Sequence, residues 1–142
     1  MTPAELRADQ AKTMPEAVLQ WNVEALCDDL GLLHFHTHDS RRSDPGFPDL
    51  VIVGRSVLFV ELKTEKGRLS AAQGKWLERL DDAEASWFVW RPADLLSGTV
   101  LDVLRGLSSR AFPQVTRYDG GTSEGPRIAA ETPPTNKTVG GL

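Results

Sequence analysis

Asp49 opens one short apolar run, and twelve residues later Glu61 and Lys63 close the next, with Leu62 between them. In an extended strand alternate side chains share a face, so Glu61 and Lys63 point the same way, about 6–7 Å apart along the chain. If the two runs pair as a hairpin, Asp49 comes beside Glu61, and two carboxylates converge with one ammonium. Paired carboxylates suit a hard divalent cation that keeps several of its waters, and a lysine beside them suits a water nucleophile or a charged phosphate. The Leu62 carbonyl, between the two side chains, adds a third possible oxygen ligand. That combination is the chemistry of phosphodiester hydrolysis.

Several other residues have a place around this centre, each with a plainer role beside it. Gln73 is the last residue of a Ser70-x-x-Gln73 helix start, so its side chain either caps the helix or reaches the acids. Glu16 either forms a capping box with Thr13 or, one turn before Leu19 and Gln20, points at the same centre; Gln20 is a third possibility. His34, His36 and His38 alternate along one strand. Ligands spaced along a flat strand do not close a tetrahedral zinc site unaided, so His36 and His38 stand as DNA contacts or water-orienting groups, or simply as a polar face. Arg41, Arg42, Lys66, Arg68 and Lys75 are candidate phosphate contacts, although each alone reads equally as a solvated surface charge.

The elements that must hold these groups follow from periodicity. Residues 1–12 are polar and read as a frayed arm or loose helix, with 1–13 set apart from a domain over 14–110. Leu19, Val23, Leu26 and Leu30 recur at helical spacing up to Gly31. Leu32–His38 alternates as a half-buried strand, with Leu33 and Phe35 on one face and the histidines on the other. Two β-branched runs, 49–53 and 56–63, are linked by Gly54-Arg55, which implies an antiparallel hairpin. A helix from Ser70 follows, with Trp76, Leu77, Leu80 and Ala83 as its apolar stripe. The run Ser86–Trp90 is a fourth strand, parallel to the third through a right-handed crossover. A last helix spans about 98–107. Residues 111–142, with Gly, Pro, Thr and Ser dominant, are expected to be largely disordered. The fold class is α/β, with a mixed four-stranded sheet flanked by helices.

The 142 residues carry a net charge of −4, at first sight unsuited to a polyanionic partner. The distribution is uneven: residues 1–30 sum to −4, residues 31–80 to +2 and the remainder to −2. The middle segment holds both candidate metal ligands, so attraction to phosphate is local and metal-assisted. The single Cys27 excludes a disulfide framework or a cysteine zinc site and fits a reducing cytoplasm. No apolar run is long enough to cross a membrane. No glycine-rich phosphate loop is present, so neither a nucleotide cofactor nor a small-molecule phosphatase is expected. No helix-turn-helix or zinc module for reading base sequence is evident.

Taken together, Gly46-Phe47-Pro48-Asp49-Leu50, Glu61-Leu62-Lys63, Leu69-Ser70 and Gln73 resemble the VRR-NUC branch of the PD-(D/E)XK nucleases, over roughly residues 14–97. The αβββαβ element order agrees with that superfamily's restriction-endonuclease-like core, and the final helix is an addition to it. The resemblance implies Mg²⁺- or Mn²⁺-dependent DNA cleavage, with Asp49, Glu61 and Lys63 catalytic and Gln73 in the site. It favours Glu16 as well, since many members place an extra acid on the first helix. Stand-alone relatives are similar to Holliday-junction resolvases and often act as homodimers on branched DNA. A non-cutting DNA-binding accessory protein on the same fold is the competing expectation.

Overall fold

The β-branched runs Leu50–Val53 (β2) and Val57–Leu62 (β3) form the centre of a four-stranded sheet in the computed structural model, which describes residues 1–37, 42 and 44–108. The tail expected to be disordered, together with His38 and Arg41, lies outside the described residues. Sheet order is β1-β2-β3-β4, with β1 spanning Leu33–His36 and β4 spanning Ser86–Trp90. The first two pairings are antiparallel and the third is parallel. The parallel pair is joined through α3 (Ala71–Asp82), the expected crossover. The β2–β3 link runs through residues 54–56, one longer than the two-residue turn read from sequence.

The two faces of the sheet are covered unequally. Leu50, Ile52, Leu58, Val60, Leu62 and Trp90 project to one side, where they meet Leu19, Val23 and Cys27 of α2 (Glu16–Asp29). Val100, Leu104 and Leu107 of α5 (Thr99–Ser108) complete this main core. Burial among these groups pushes the Cys27 thiol up to about 12, which leaves it a packing residue without thiolate chemistry. The hairpin link docks on α5, where the Arg55 N–H donates to the Leu107 carbonyl (2.9 Å).

The other sheet face receives α3. Leu77 is its buried residue, and Trp87 of β4 is buried on this side with its indole N–H donated to Asp81 (3.3 Å). Ala83, read as part of the apolar stripe, instead caps the helix end and is exposed. The register Leu33↔Val53↔Val57 and Phe35↔Val51↔Phe59 places these six residues on the same face as α3. No described element covers its outer part, so Leu33 is 74% and Phe35 62% exposed. The alternation of β1 is therefore as expected, but its apolar side is the uncovered one. His34 points to the helix-covered side and pairs with Asp28 of α2 at 2.8 Å.

Residues 3–13, set apart in the sequence as an arm, form a helix. This α1 (Pro3–Thr13) starts with a capping box in which Thr2 accepts from the Glu5 N–H and Glu5 accepts from the Thr2 N–H. Its Ala11 is buried, and it packs against α4 (Pro92–Leu96), a short helix with no counterpart in the sequence reading. Among the described residues no helix is long and apolar enough to cross a membrane.

Candidate active site

The β2–β3 register pairs Leu50 with Val60, and one further pair along the strands sets Asp49 opposite Glu61. The meeting required by the chemistry therefore occurs. The carboxyl groups of Asp49 and Glu61 are within hydrogen-bonding contact, and Asp49 Oδ2 also accepts the Leu62 backbone N–H at 2.8 Å. Glu61 is 1% exposed, and it is the buried charged residue among the described residues. Burial, then the adjacent Asp49 carboxylate, pushes its carboxyl up to about 9, while the nearby Lys63 ammonium pulls it partly back.

Glu16 joins this group. Its carboxyl is raised by burial first and by Asp49 second, and lowered by Lys63, which places it within electrostatic reach of both. The Thr13–Glu16 capping box does not form, because α2 begins after Pro15 and the Thr13 hydroxyl turns back to the Gln10 carbonyl (3.3 Å). Helix α2 has no side-chain cap, and its first residue is left to face the acids.

Gln73 takes both of the roles left open for it. Its Oε1 accepts the Ser70 N–H at 2.8 Å while Ser70 Oγ accepts the Gln73 N–H at 3.1 Å, completing a capping box. Its Nε2 donates to Glu61 Oε1 at 2.9 Å. One amide thus locks the start of α3 to the buried carboxyl.

Two supports were not evident in the sequence. His36 Nδ1 donates to the Asp49 carbonyl at 3.0 Å, and the Thr37 N–H reaches the same oxygen at 3.1 Å, so β1 holds the backbone of the acid. A parity argument puts His36 on a strand but cannot say which neighbour's carbonyl it meets. Arg91 Nη1 donates to the Thr64 and Gly67 carbonyls at 2.7 and 2.6 Å, and Glu65 Oε2 accepts the Ala93 N–H at 3.1 Å. Together they pin the loop that follows Lys63 and carries the exposed Lys66 and Arg68. Lys75 is exposed on α3, two positions beyond Gln73, and Arg42 is exposed on the segment before Asp49.

The donor set is that of a hard cation: carboxylate oxygens with no thiolate, on a strand end beside an ammonium. Without a cation, burial and the adjacent Asp49 keep a proton on Glu61, and a dication would take the place of that proton. Among the described residues, no three His, Cys, Asp or Glu groups close into a metal shell. Two carboxylates with the remaining positions open to water and phosphate fit Mg²⁺ or Mn²⁺ better than a closed structural metal.

A mixed sheet with an acid before β2, an acid and a lysine at the end of β3, and a glutamine from the crossover helix defines a nuclease-type domain. The family model of the VRR-NUC domain matches residues 7–93, and the chain belongs to that family. A solved structure described as a VRR_NUC domain is similar to this chain at 25% identity with a TM-score of 0.52, covering 61% of this chain and 94% of that one. No curated protein matches the chain.

Proposed function

We propose that this protein is a divalent-metal-dependent DNA endonuclease acting on branched or flapped DNA. The observation that carries the proposal is the Asp49–Glu61 carboxyl pair, closed on one side by Gln73 and faced by Lys63. Asp49 and Glu61 would hold Mg²⁺ or Mn²⁺, with the Leu62 carbonyl as a further oxygen. When bound, the cation supplies Lewis-acid stabilisation of the phosphate and acidifies a coordinated water. The chain supplies the rest. Lys63 Nζ holds the attacking water or offsets charge growing on the phosphate. Gln73 Nε2 and the Leu62 N–H fix the two carboxyl groups in place, and Glu16 lies within electrostatic reach of Asp49 and Lys63. Lys66, Arg68, Lys75 and Arg42, all exposed, would contact the DNA backbone.

Asn at position 49 still accepts the Leu62 N–H but loses the charge. Asp49→Asn is therefore expected to fold normally, bind branched DNA, and lose Mg²⁺-dependent cleavage by a factor on the order of 10³. Purified protein on flap, junction, single-stranded and duplex DNA, with Mg²⁺ or with chelator, gives the readout. Wild-type binding indifferent to chelator, without cleavage of any of these, would establish the accessory-protein reading instead.

The protein is further proposed to act as a homodimer through the uncovered sheet face. Leu33, Phe35, Val53 and Val57 form an apolar surface beside an exposed edge strand, larger than isolated surface residues would make. A second copy of the same face matches it in chemistry. Light scattering is expected to give twice the chain mass, and Leu33→Ser with Phe35→Ser to restore the single-chain mass. A wild-type monomer at tens of micromolar would exclude it.

A further inference from the structure

A cavity of about 420 Å³ opens between the turn at Asp44-Pro45 and the outer side of α3, lined by Asp44, Pro45, Ala72, Lys75, Trp76 and Arg79. We propose that it receives one unpaired nucleotide of the DNA, next to the phosphate to be cut. This rests on the endonuclease reading and gives it a physical basis for preferring branched or flapped substrates.

Both walls belong to segments that carry the site. The turn runs within four residues into Asp49, and α3 carries Gln73, bonded to Glu61. A nucleotide in the cavity would thus be adjacent to a phosphate at the acids.

The walls are also tied to each other before anything binds. Trp76 Nε1 donates to the Pro45 carbonyl at 3.1 Å, and its ring meets Phe47 edge-to-face at 5.1 Å. Phe47 in turn packs edge-to-face on Phe59 of β3. Gly46, at φ +85°, lies so close to Ala72 and Gln73 that a side chain there would meet their backbone. The cavity is preformed, so little ordering cost attends its filling.

Chemistry supplies the occupant. Lys75 and Arg79 are one turn apart on the same helix face, both exposed, and neither makes an ion pair among the described residues. Trp76 lines the same cavity, next to Arg79 around the helix. Cations beside an aromatic ring are the recognition pattern for a single strand, with phosphate on the cations and a base against the ring. Asp44 on the opposite wall repels phosphate, which sets the orientation: phosphate toward Lys75 and Arg79, base edge toward Asp44. The volume falls within the range of small-ligand sites, about 300–1,000 Å³. A base pair within its stack cannot enter such a space, whereas an unpaired nucleotide can.

The test uses Asp49→Asn protein, which binds without cutting, and a flap whose first unpaired base is 2-aminopurine. Binding is expected to change the probe's fluorescence. Adding Lys75→Ser and Arg79→Ser is expected to abolish that change and weaken flap binding about tenfold more than blunt-duplex binding. Both positions are exposed, so the melting temperature should be unaffected. Equal weakening on flap and duplex, or a probe signal that survives the double substitution, would overturn the nucleotide site. A wild-type protein that cuts no DNA, yet gives the probe signal and loses it in the variant, would retire the endonuclease reading and leave the nucleotide site standing.

Discussion

Glu61→Gln is expected to abolish cleavage and, in the absence of metal, to make the protein more stable than wild type at neutral and alkaline pH. A neutral amide keeps the geometry: its oxygen still accepts from Gln73 Nε2, and its NH₂ can donate to the Asp49 carboxylate in place of the Glu61 proton. What it loses is the second negative charge needed to hold a dication. Several kcal/mol of transition-state stabilisation are expected to go with it, a loss on the order of 10³ or more in rate.

The stability half follows from proton linkage. The Glu61 carboxyl is raised from 4.5 to about 9 by burial and by Asp49, so the folded protein retains a proton that the unfolded chain releases. This contribution is complete below about pH 4.5, declines as the pH rises, and is gone once the pH passes about 9. Melting in chelator should therefore show the wild type falling relative to Glu61→Gln across that window, the gap widening with pH. Added Mg²⁺ should narrow the gap by raising the wild type alone, since only the native carboxylate pair binds it. Parallel pH curves for the two proteins would show that Glu61 is not held protonated by burial and Asp49, and equal stabilisation of both by Mg²⁺ would show that no cation is held by Asp49 and Glu61.

How much of this could be read from residues alone differs with the kind of information each feature needs. The convergence of Asp49 with Glu61 was legible because it depends only on the two-residue period of a strand and a short hairpin link, both local properties. The link proved one residue longer, yet the antiparallel pairing kept the acids opposite. Glu16 was ambiguous because Thr13 offered a local competitor. The outcome turned on a helix boundary, Pro15 ending α1 and opening α2, which periodicity locates poorly. Gln73 was posed as a choice between two roles, although its amide has separate donor and acceptor atoms able to fill both. Leu33 and Phe35 were read correctly as sharing a face, but which face helices cover is a tertiary fact. The Thr2–Glu5 capping box was present in the sequence and signalled α1, but the polar composition of residues 1–12 obscured it. The ties from His36 to Asp49 and from Arg91 to the loop after Lys63 join positions 13 and 24–27 residues apart. They depend on sheet order and crossover packing, and no local pattern announces them.

Gly46 and Gly74 make a pair of substitutions with opposite expected signs. Gly46→Ala meets two penalties at once. At φ +85° a side chain costs about 1–2 kcal/mol against glycine, and the added carbon would collide with the carbonyl group of Ala72 and lie 2.6 Å from the Gln73 nitrogen. Backbone atoms in a helix cannot swing aside, so the turn or the start of α3 must move. Either movement reaches the site, because the turn leads into Asp49 and the start of α3 carries the Gln73 amide bonded to Glu61. Melting is expected to fall by about 10 °C or more, with cleavage lost in the fraction that remains folded. Gly74 is one position past Gln73, inside α3, with nothing within 4 Å of an added carbon. There alanine removes the entropic cost of a helical glycine, and Gly74→Ala should gain up to about 1 kcal/mol and melt about 4–8 °C higher, with cleavage retained. Paired melting curves and flap-cleavage rates decide the matter. If Gly46→Ala melts with the wild type and cuts at the same rate, the turn is not seated on α3, and neither Asp49 nor the nearby cavity is held by that contact.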